Sequence, residues 1–561
     1  MKILLTTLHS RFIHASLALP YLKVYCQPVC PEIQILELTL HQPKEHLLAR
    51  IVAADARVIC FSVYLWNRVM ILELVNCLKQ IDPDYRIVLG GPDISFETAD
   101  FFQQYPVDAI ICGEGEIPLR HLLSAWKAGT KPTLPAGLQL PGEDSSAIAS
   151  ESRLDPLDQL PSPFAAGLVD LSRGLVYYES SRGCPYRCSF CLSARSERVR
   201  SFSMERIKED LGLLMDQQVK LVKFVDRTFN YNAERSREIF RFILENNQSS
   251  SFHFEIGAHL LDAQTLELLE QVPPGVFQFE IGVQSTLPET LNRVSRTMSL
   301  ELLANNVRAL RERTRIHLHL DLVAGLPGGG VTEFLHAIDW THALGADHLQ
   351  IELVKLLPGT PLRLEAKERA IRYDPTPPYA VLSSPEWCFA DLERVRGISR
   401  LNDLLVNSHK FTRLINGLRT SCGSLSRCLD DLNGYWCEHG LHAASRSLRG
   451  LAEELDRYLC RRFCGDDLVS LRESLARDYA HNERVVSGAA PDFFDQHLTD
   501  DEQTHVRRRI KEELDGINRS GKIQFFSSLF YHLPHTPGRR VVVFMYVART
   551  ATGLEVEELV L

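Results

Sequence analysis

The sequence predicts an α/β protein: a doubly wound parallel sheet, then a partial βα barrel, then an α-rich carboxyl-terminal domain. Three observations predict it. Short apolar runs alternate with amphipathic helical patterns over the first 130 residues. A second alternating series begins at Gly174 and supplies six further strand candidates. Beyond about residue 375 the pattern turns to long helical periods. Strands separated by crossover helices form parallel sheets. Six βα repeats fit a barrel that stays open.

The first sheet takes its strands from Lys2–Thr7, Glu32–Leu40, Arg57–Tyr64, Tyr85–Gly91 and Ala109–Gly113, with helical patterns such as Leu47–Ala54 and Val69–Lys79 between them. Ligands of such sheets bind at the carboxyl ends of the strands. Here those ends carry Ser62, Gly90-Gly91-Pro92 and Gly113-Glu114-Gly115-Glu116. From about Lys131 to Ser162 the chain holds Pro132, Pro135, Pro141, Pro156 and Pro161 with little helical periodicity, which reads as an interdomain linker. The barrel strands are Leu175–Ser180, Leu221–Val225, Phe252–Ile256, Val276–Val283, His317–Gly325 and His348–Leu356. Helical patterns at Met204–Gln217, Ala233–Glu245 and Leu300–Thr314 separate them. Leu392–Leu418 and Leu441–Leu475 read as long helices, and Ile523–His532 with Val541–Val547 as a strand pair. The predicted divisions are therefore 1–130, a linker 131–172, a barrel 173–375 and a final domain 376–561.

Composition narrows the function classes. The formal net charge is −9, from 62 basic and 71 acidic residues, which argues against a protein that coats nucleic acid. The apolar run Val541–Ala548 is far short of the roughly 20 residues that span a bilayer. Met1-Lys2 leads straight into a core strand, with no small-residue cleavage site behind it. A cytoplasmic protein is expected. Fourteen cysteines in a reducing compartment are not a disulfide framework, so metal or redox use gains weight.

The sharpest signal is Ser181-Arg182-Gly183-Cys184-Pro185-Tyr186-Arg187-Cys188-Ser189-Phe190-Cys191, just after the first barrel strand. Three thiolates at Cys-x3-Cys-x2-Cys spacing can hold three irons of a cubane cluster and leave the fourth open. A structural zinc site would want a fourth protein ligand nearby, and none follows.

At these residues the chain resembles the cobalamin-binding radical S-adenosylmethionine (SAM) enzymes, the class B radical SAM methylases. The resemblance covers about Met1–Pro361, with an uncharacterised domain behind. It implies that Cys184, Cys188 and Cys191 bind a [4Fe-4S] cluster whose open iron chelates SAM, and that reductive cleavage yields a 5′-deoxyadenosyl radical. Phe190 matches the aromatic position against the adenine. The family's Gly-Gly-Glu after the second strand is replaced by Val225-Asp226-Arg227-Thr228-Phe229, where Asp226 is left as an acceptor for the SAM ammonium. Phe279–Ser285 resembles the ribose-contacting segment, which points to Glu280, Gln284 and Ser285. Leu326, in the stretch ending the fifth strand, and Leu357, ending the sixth, complete the expected SAM contacts.

The resemblance also implies cobalamin on the first sheet. Ser62, Tyr64, Trp66, Gly90, Gly91, Gly113 and Glu116 are the expected contacts. The Asp-x-His-x-x-Gly signature, whose His ligates cobalt, is absent from Thr7-Leu8-His9-Ser10-Arg11-Phe12-Ile13-His14. Side chains around Tyr64–Asn67 are expected to cover the lower corrin face instead. The implied activity is methylation of an unactivated carbon or phosphorus, on an unknown small-molecule or peptide substrate. A reductant such as flavodoxin or ferredoxin is implied. A non-methylating rearrangement or cyclisation, and a non-catalytic cobalamin or cluster sensor, are the rival readings. Cys460-x3-Cys464 and Cys26-x3-Cys30 read as one-turn pairs on helices, most simply buried inert thiols; the first pair could alternatively bind a second cluster. His505–Arg509 reads as a solvated helix face.

Overall fold

A computed structural model describes all residues except 12–13, 98–99, 134, 143–151, 196–197, 517–523 and 551–552. Phe12 and Ile13 of the first loop, the middle of the Pro-rich stretch, and Ile523 therefore lie outside the described residues. The chain divides into two compact units: Met1–Phe334 with Leu344–Asp347 and Ile351–Leu392, and Leu335–Ala343 with His348–Gln350 and Glu393–Leu561.

The first unit opens with β1 (Ile3–His9), β2 (Ile33–Thr39), β3 (Val58–Ser62), β4 (Arg86–Gly90), β5 (Ala109–Ile111) and β6 (Leu138–Gln139), in the order β2-β1-β3-β4-β5-β6. Alternate residues go to opposite faces of a strand, and both faces are buried here. Leu4, Leu8, Ile59, Phe61, Ile87 and Leu89 join the core on one side; Ile3, Leu5, Val58, Cys60 and Val88 join that on the other. Helices cover each face, as a parallel sheet requires. The strand order reverses between β1 and β3, which opens a crevice at their carboxyl ends.

The Pro-rich stretch is more than a tether. It supplies β6, which pairs antiparallel with β5. It also buries Leu154, Leu157 and Leu160. Its few apolar residues lack any period, so the sequence pattern hides their burial.

The second sheet runs β7 (Leu175–Tyr178), β10 (Leu221–Phe224), β11 (Ser251–Ile256), β12 (Phe277–Gln284), β13 (His317–Ala324) and β14 (His348–Leu353), in sequence order from one edge to the other. A short hairpin, β8 (Ser181–Arg182) with β9 (Arg200–Ser201), brackets the cysteine loop, and a second antiparallel pair, β15 (Arg372–Tyr373) with β16 (Val381–Ser383), follows β14. One face of the sheet is a phenylalanine layer. Phe224, Phe229, Phe240 and Phe254 stack at centroid distances of 4.6 to 5.2 Å. Each is fully buried and contributes about 1.5–3 kcal/mol. Helices Met204–Asp216, Ala233–Asn246 and Leu300–Arg313 start at Ser203, Asn232 and Ser299, whose side chains each accept from a first-turn backbone N–H.

The carboxyl-terminal unit corrects three expectations. The span Leu392–Leu418 is broken: a helix Phe389–Leu401 passes through a π turn, Asn402–Val406, before Thr412–Cys422 begins. Asn402 donates to the Leu349 carbonyl at 2.7 Å, and Asn407 both accepts from Leu349 N and donates to its carbonyl. Two asparagines thus satisfy a strand backbone, and the helix yields to let them reach it. The span Leu441–Leu475 breaks at Phe463, so Cys460 lies in the helix Leu448–Arg462 while Cys464 caps the next, Gly465–Asn482. They are not one turn apart on one helix, and both are exposed rather than buried, because each lies beside the break between the two helices. Finally, β17 (Gln524–Leu533) and β18 (Thr536–Thr550) gain a third strand, β19 (Gly553–Val560), whose alternating glutamates obscure it in sequence. Cys26 and Cys30 are buried at the end of the helix Ala18–Cys26. Val506 is buried while His505, Arg507 and Arg508 are exposed.

Candidate active site

The cysteine loop is held at its start and in its middle. At its start, Asp226 accepts from Ser180 N at 2.9 Å, from Ser180 Oγ at 2.6 Å and from Ser181 Oγ. Arg235 donates to Ser180 Oγ at 2.6 Å as well. In its middle, Ser189 N donates to the Val294 carbonyl and the Ser189 carbonyl accepts from Leu362 N, both at 2.9 Å. Cys191 N closes a turn on the Cys188 carbonyl at 3.0 Å. Arg296 donates to Cys188 Sγ at 3.6 Å and to the Gly282 carbonyl, tying the loop to the end of β12. Burial pushes the Cys188 thiol up, and the Arg296 charge pulls it part of the way back. Cys184 Sγ stands 3.6 Å from Thr228 Oγ1.

Among the described residues, no three His, Cys, Asp or Glu side chains converge closely enough to hold a single metal ion. Three thiols presented from one braced loop nevertheless suit a cubane, which takes each thiolate on a different iron. Phe190 is half-buried between Ser189 and Cys191.

The ammonium role expected of Asp226 does not fit its surroundings. The residue is 1% exposed and both oxygens are occupied. It braces the start of the loop instead, because three donors from Ser180 and Ser181 converge on its carboxylate.

Glu280 does face the open side of the barrel sheet. His253 Nε2 pairs with it at 2.8 Å and Lys223 Nζ donates at 3.4 Å. Burial alone would raise its pKa; the His253 bond and the Lys223, His253 and His319 charges outweigh it and hold the carboxyl at about 2. Around it stand Glu255, His319 and Asp321, with His319 Nε2 3.2 Å from Asp321 Oδ1. Burial lifts Glu255 to about 7, against the pull of Arg227 and with the push of Glu280. Lys223, His253, Glu255 and His319 are not among the residues the sequence singles out. Their signal was legible: Lys223, His253, Glu255, Glu280, His319 and Asp321 fall at alternate positions of strands otherwise filled by phenylalanine, leucine and isoleucine. One face of this sheet is a polar chamber.

Gln284 sits at a β-bulge with φ +67°, and its amide lies over Gly282, where a Cβ would approach it to 2.2 Å. Ser285 Oγ accepts from Leu287 N. Leu326 is buried and its carbonyl accepts from the Trp387 indole at 3.2 Å. Leu357 begins a turn whose Gly359, at φ +79°, packs on Phe96 so closely that a Cβ would come within 2.4 Å of the ring.

At the carboxyl ends of β1, β3, β4 and β5 lies a cavity of about 830 Å³. All seven expected cobalamin contacts line it: Ser62, Tyr64, Trp66, Gly90, Gly91, Gly113 and Glu116. Tyr64 and Trp66 stack 4.5 Å apart with planes 6° from parallel, making a flat aromatic floor. Asn67, fully buried beneath them, accepts from Tyr64 N and donates to Thr7, Leu8 and Ser62. Gly91, at φ +107°, lies against Val63, where a Cβ would come within 2.5 Å of its carbonyl oxygen. His9 is paired with Glu37 at 3.3 Å and His14 with the Tyr177 hydroxyl at 2.7 Å. Glu116 accepts from Arg182 at 2.8 Å, so it meets the cavity as part of an ion pair. The barrel closes the far wall with Tyr177, Glu179, Arg182, Leu192, Val225 and Arg227. Leu192 directly follows the third cysteine. The volume and the predominantly apolar lining surface suit a large planar ligand.

Comparison with known proteins agrees with this geometry. The chain matches the B12-binding domain over residues 3–123, the radical SAM superfamily over 178–341 and DUF4080, a family of unknown function, over 367–524. It is 25% identical over 418 residues to the cobalamin-dependent radical SAM methyltransferase TokK of Streptomyces tokunonensis, covering 68% of this chain and 59% of TokK. The chain spans about three fifths of the length of the curated relatives it matches. Among solved structures, TsrM of Kitasatospora setae, with cobalamin and a [4Fe-4S] cluster bound, superposes with TM-score 0.55 at 18% identity, covering 68% of this chain and 82% of TsrM. OxsB with aqua-cobalamin and SAM bound gives TM-score 0.55 at 14% identity over 93% of this chain and 82% of OxsB. Those two likenesses describe the fold. The chain thus joins a B12-binding domain to a radical SAM domain and a DUF4080 domain, and is homologous to the cobalamin-dependent radical SAM methyltransferases.

Proposed function

We propose that this protein is a cobalamin-dependent radical SAM methyltransferase acting on an unactivated carbon or phosphorus of a small-molecule or peptide substrate. One observation carries the reading: the strand-end cavity of the first sheet shares its wall with the cysteine loop through Arg182 and Leu192. When bound, the cluster supplies the electron that cleaves SAM, and cobalamin supplies methyl transfer, so the difficult chemistry belongs to the cofactors.

The chain's own residues hold and orient. Cys184, Cys188 and Cys191 provide the thiolates, and Arg296 steadies Cys188. Glu280, ionised at neutral pH, offers its oxygens to ribose hydroxyls or to the SAM ammonium. Gln284 and Ser285 extend that edge, with Phe190 against the adenine and the Leu326 and Leu357 backbones beyond. Tyr64 and Trp66 cover the lower corrin face, and Gly90, Gly91 and Gly113 let the ring approach the backbone. The half-buried polar chamber excludes bulk water from a radical reaction. No described helix is long and apolar enough to cross a membrane. Free thiols and an iron–sulfur cluster suit a reducing cytoplasm, and the electron would come from a flavodoxin- or ferredoxin-type donor.

The test is anaerobic turnover of reconstituted protein with cobalamin, SAM and a strong reductant, with products quantified by mass spectrometry. Deoxyadenosine together with S-adenosylhomocysteine, both lost in Cys188→Ala, is the expected result. Deoxyadenosine alone in the presence of substrate would favour the non-methylating radical enzyme. Cobalamin binding without either product would favour a sensor.

A further inference from the structure

Arg182 lies two residues before Cys184 and donates to three carboxylates. Nε reaches Glu179 at 2.9 Å, one terminal nitrogen reaches Glu114 at 3.1 Å and the other reaches Glu116 at 2.8 Å. Its side chain is 13% exposed. Arg200, on the strand paired with Arg182, takes the other oxygen of Glu114. Glu114 and Glu116 belong to the loop that ends β5 and starts the helix Glu116–Ala128, on the cavity wall. Three acids and two guanidinium groups are mutually satisfied only when that loop and the start of the cysteine loop meet. Either element displaced alone would strand buried charge.

We propose that Arg182 is a positioning residue that couples occupancy of the cavity to the arrangement of the cysteine loop. Cobalamin in the cavity and a cluster on Cys184, Cys188 and Cys191 then each favour the same arrangement, so each binds more tightly when the other is present. The coupling is reciprocal by thermodynamic necessity. Asp226 makes Arg182 the adjustable partner: Ser180 and Ser181 are already fixed to the barrel, so a shift of Glu114 or Glu116 acts on Arg182 and Gly183 next. The inference rests on the cofactor reading above.

The experiment measures hydroxocobalamin binding to the full chain by anaerobic equilibrium dialysis, before and after cluster reconstitution. The wild type is expected to bind about fivefold or more tightly once the cluster is loaded. In Arg182→Lys, and independently in Glu116→Gln should the first variant not fold, that ratio falls below about twofold. The ratio is the discriminating readout, because a merely structural role would weaken both affinities and leave it unchanged. An unchanged ratio in the folded variants, or a wild-type ratio of one, would overturn the coupling and leave the cofactor reading standing. No cobalamin binding by the wild type in either form would overturn both.

Discussion

Single residues decide what the chamber of the barrel sheet does with protons. Glu255 is raised to about 7 by burial, so its folded value lies above the ordinary carboxyl value of about 4.3. A raised group contributes stability that is fully present below its unfolded pKa and lost as pH rises through the folded one. The wild type should therefore lose melting temperature between about pH 4.5 and 7 by an amount that Glu255→Gln removes. Parallel thermal scans of the two proteins across that window check it; curves of equal slope would place the titration elsewhere. Gly91 is the other decisive residue. Its φ of +107° and the neighbouring Val63 carbonyl leave no room for a side chain. Gly91→Ala should cost about 3 kcal/mol in urea unfolding, and weaken cobalamin binding as β4 is pushed from the cavity. At this scale the cysteines are the most legible feature, because their spacing is local. Lys223, His253 and His319 are legible only as the polar face of alternating strands; nothing in one strand tells that this face will be a chamber.

At the scale of elements, the β3–α turn is the part that builds a binding floor. Val58–Ser62 enters the crevice, and Asn67, 0% exposed, then satisfies three acceptors and one donor while Tyr64 and Trp66 stack outward. Asn67→Ala would leave those buried groups unpaired and should destabilise by about 2–4 kcal/mol. Loss of the aromatic floor would accompany it, read as a blunted Trp66 fluorescence change on adding cobalamin. An unaltered fluorescence response with normal stability would remove Asn67 from the floor. The barrel strands show the complementary case. Their phenylalanine layer was implicit in the period-two pattern, and every predicted barrel strand falls within a few residues of its place. The elements that differed are those where a side chain competes with the backbone or where burial lacks a period: the π turn at Asn402, the break at Phe463, the acidic strand β19 and the short strand β6.

The whole molecule behaves as two compact units, and the cavity belongs to one of them. A ligand that binds only the folded state stabilises by mass action. Cobalamin at a hundredfold excess over its Kd should stabilise the unit that holds the cavity by about 2.7 kcal/mol. The unit that holds Glu393–Leu561 should not respond. Differential scanning calorimetry with and without cobalamin separates the two; a shift shared equally by both would mean that they unfold as one.

By itself the sequence determined the order of elements, the two parallel sheets, the cysteine triad and the strand-end glycines. These features are written in local spacing and hydrophobic period, which a single chain segment carries within itself. Tertiary structure decided what those pieces face. It drew Asp226 under the cysteine loop and away from the open site, because three donors from Ser180 and Ser181 converge there. It gathered residues from four strands into one polar chamber, and it joined Arg182 to glutamates 66 and 68 residues away. Contacts between distant segments depend on how sheets pack, and no spacing along the chain encodes that distance.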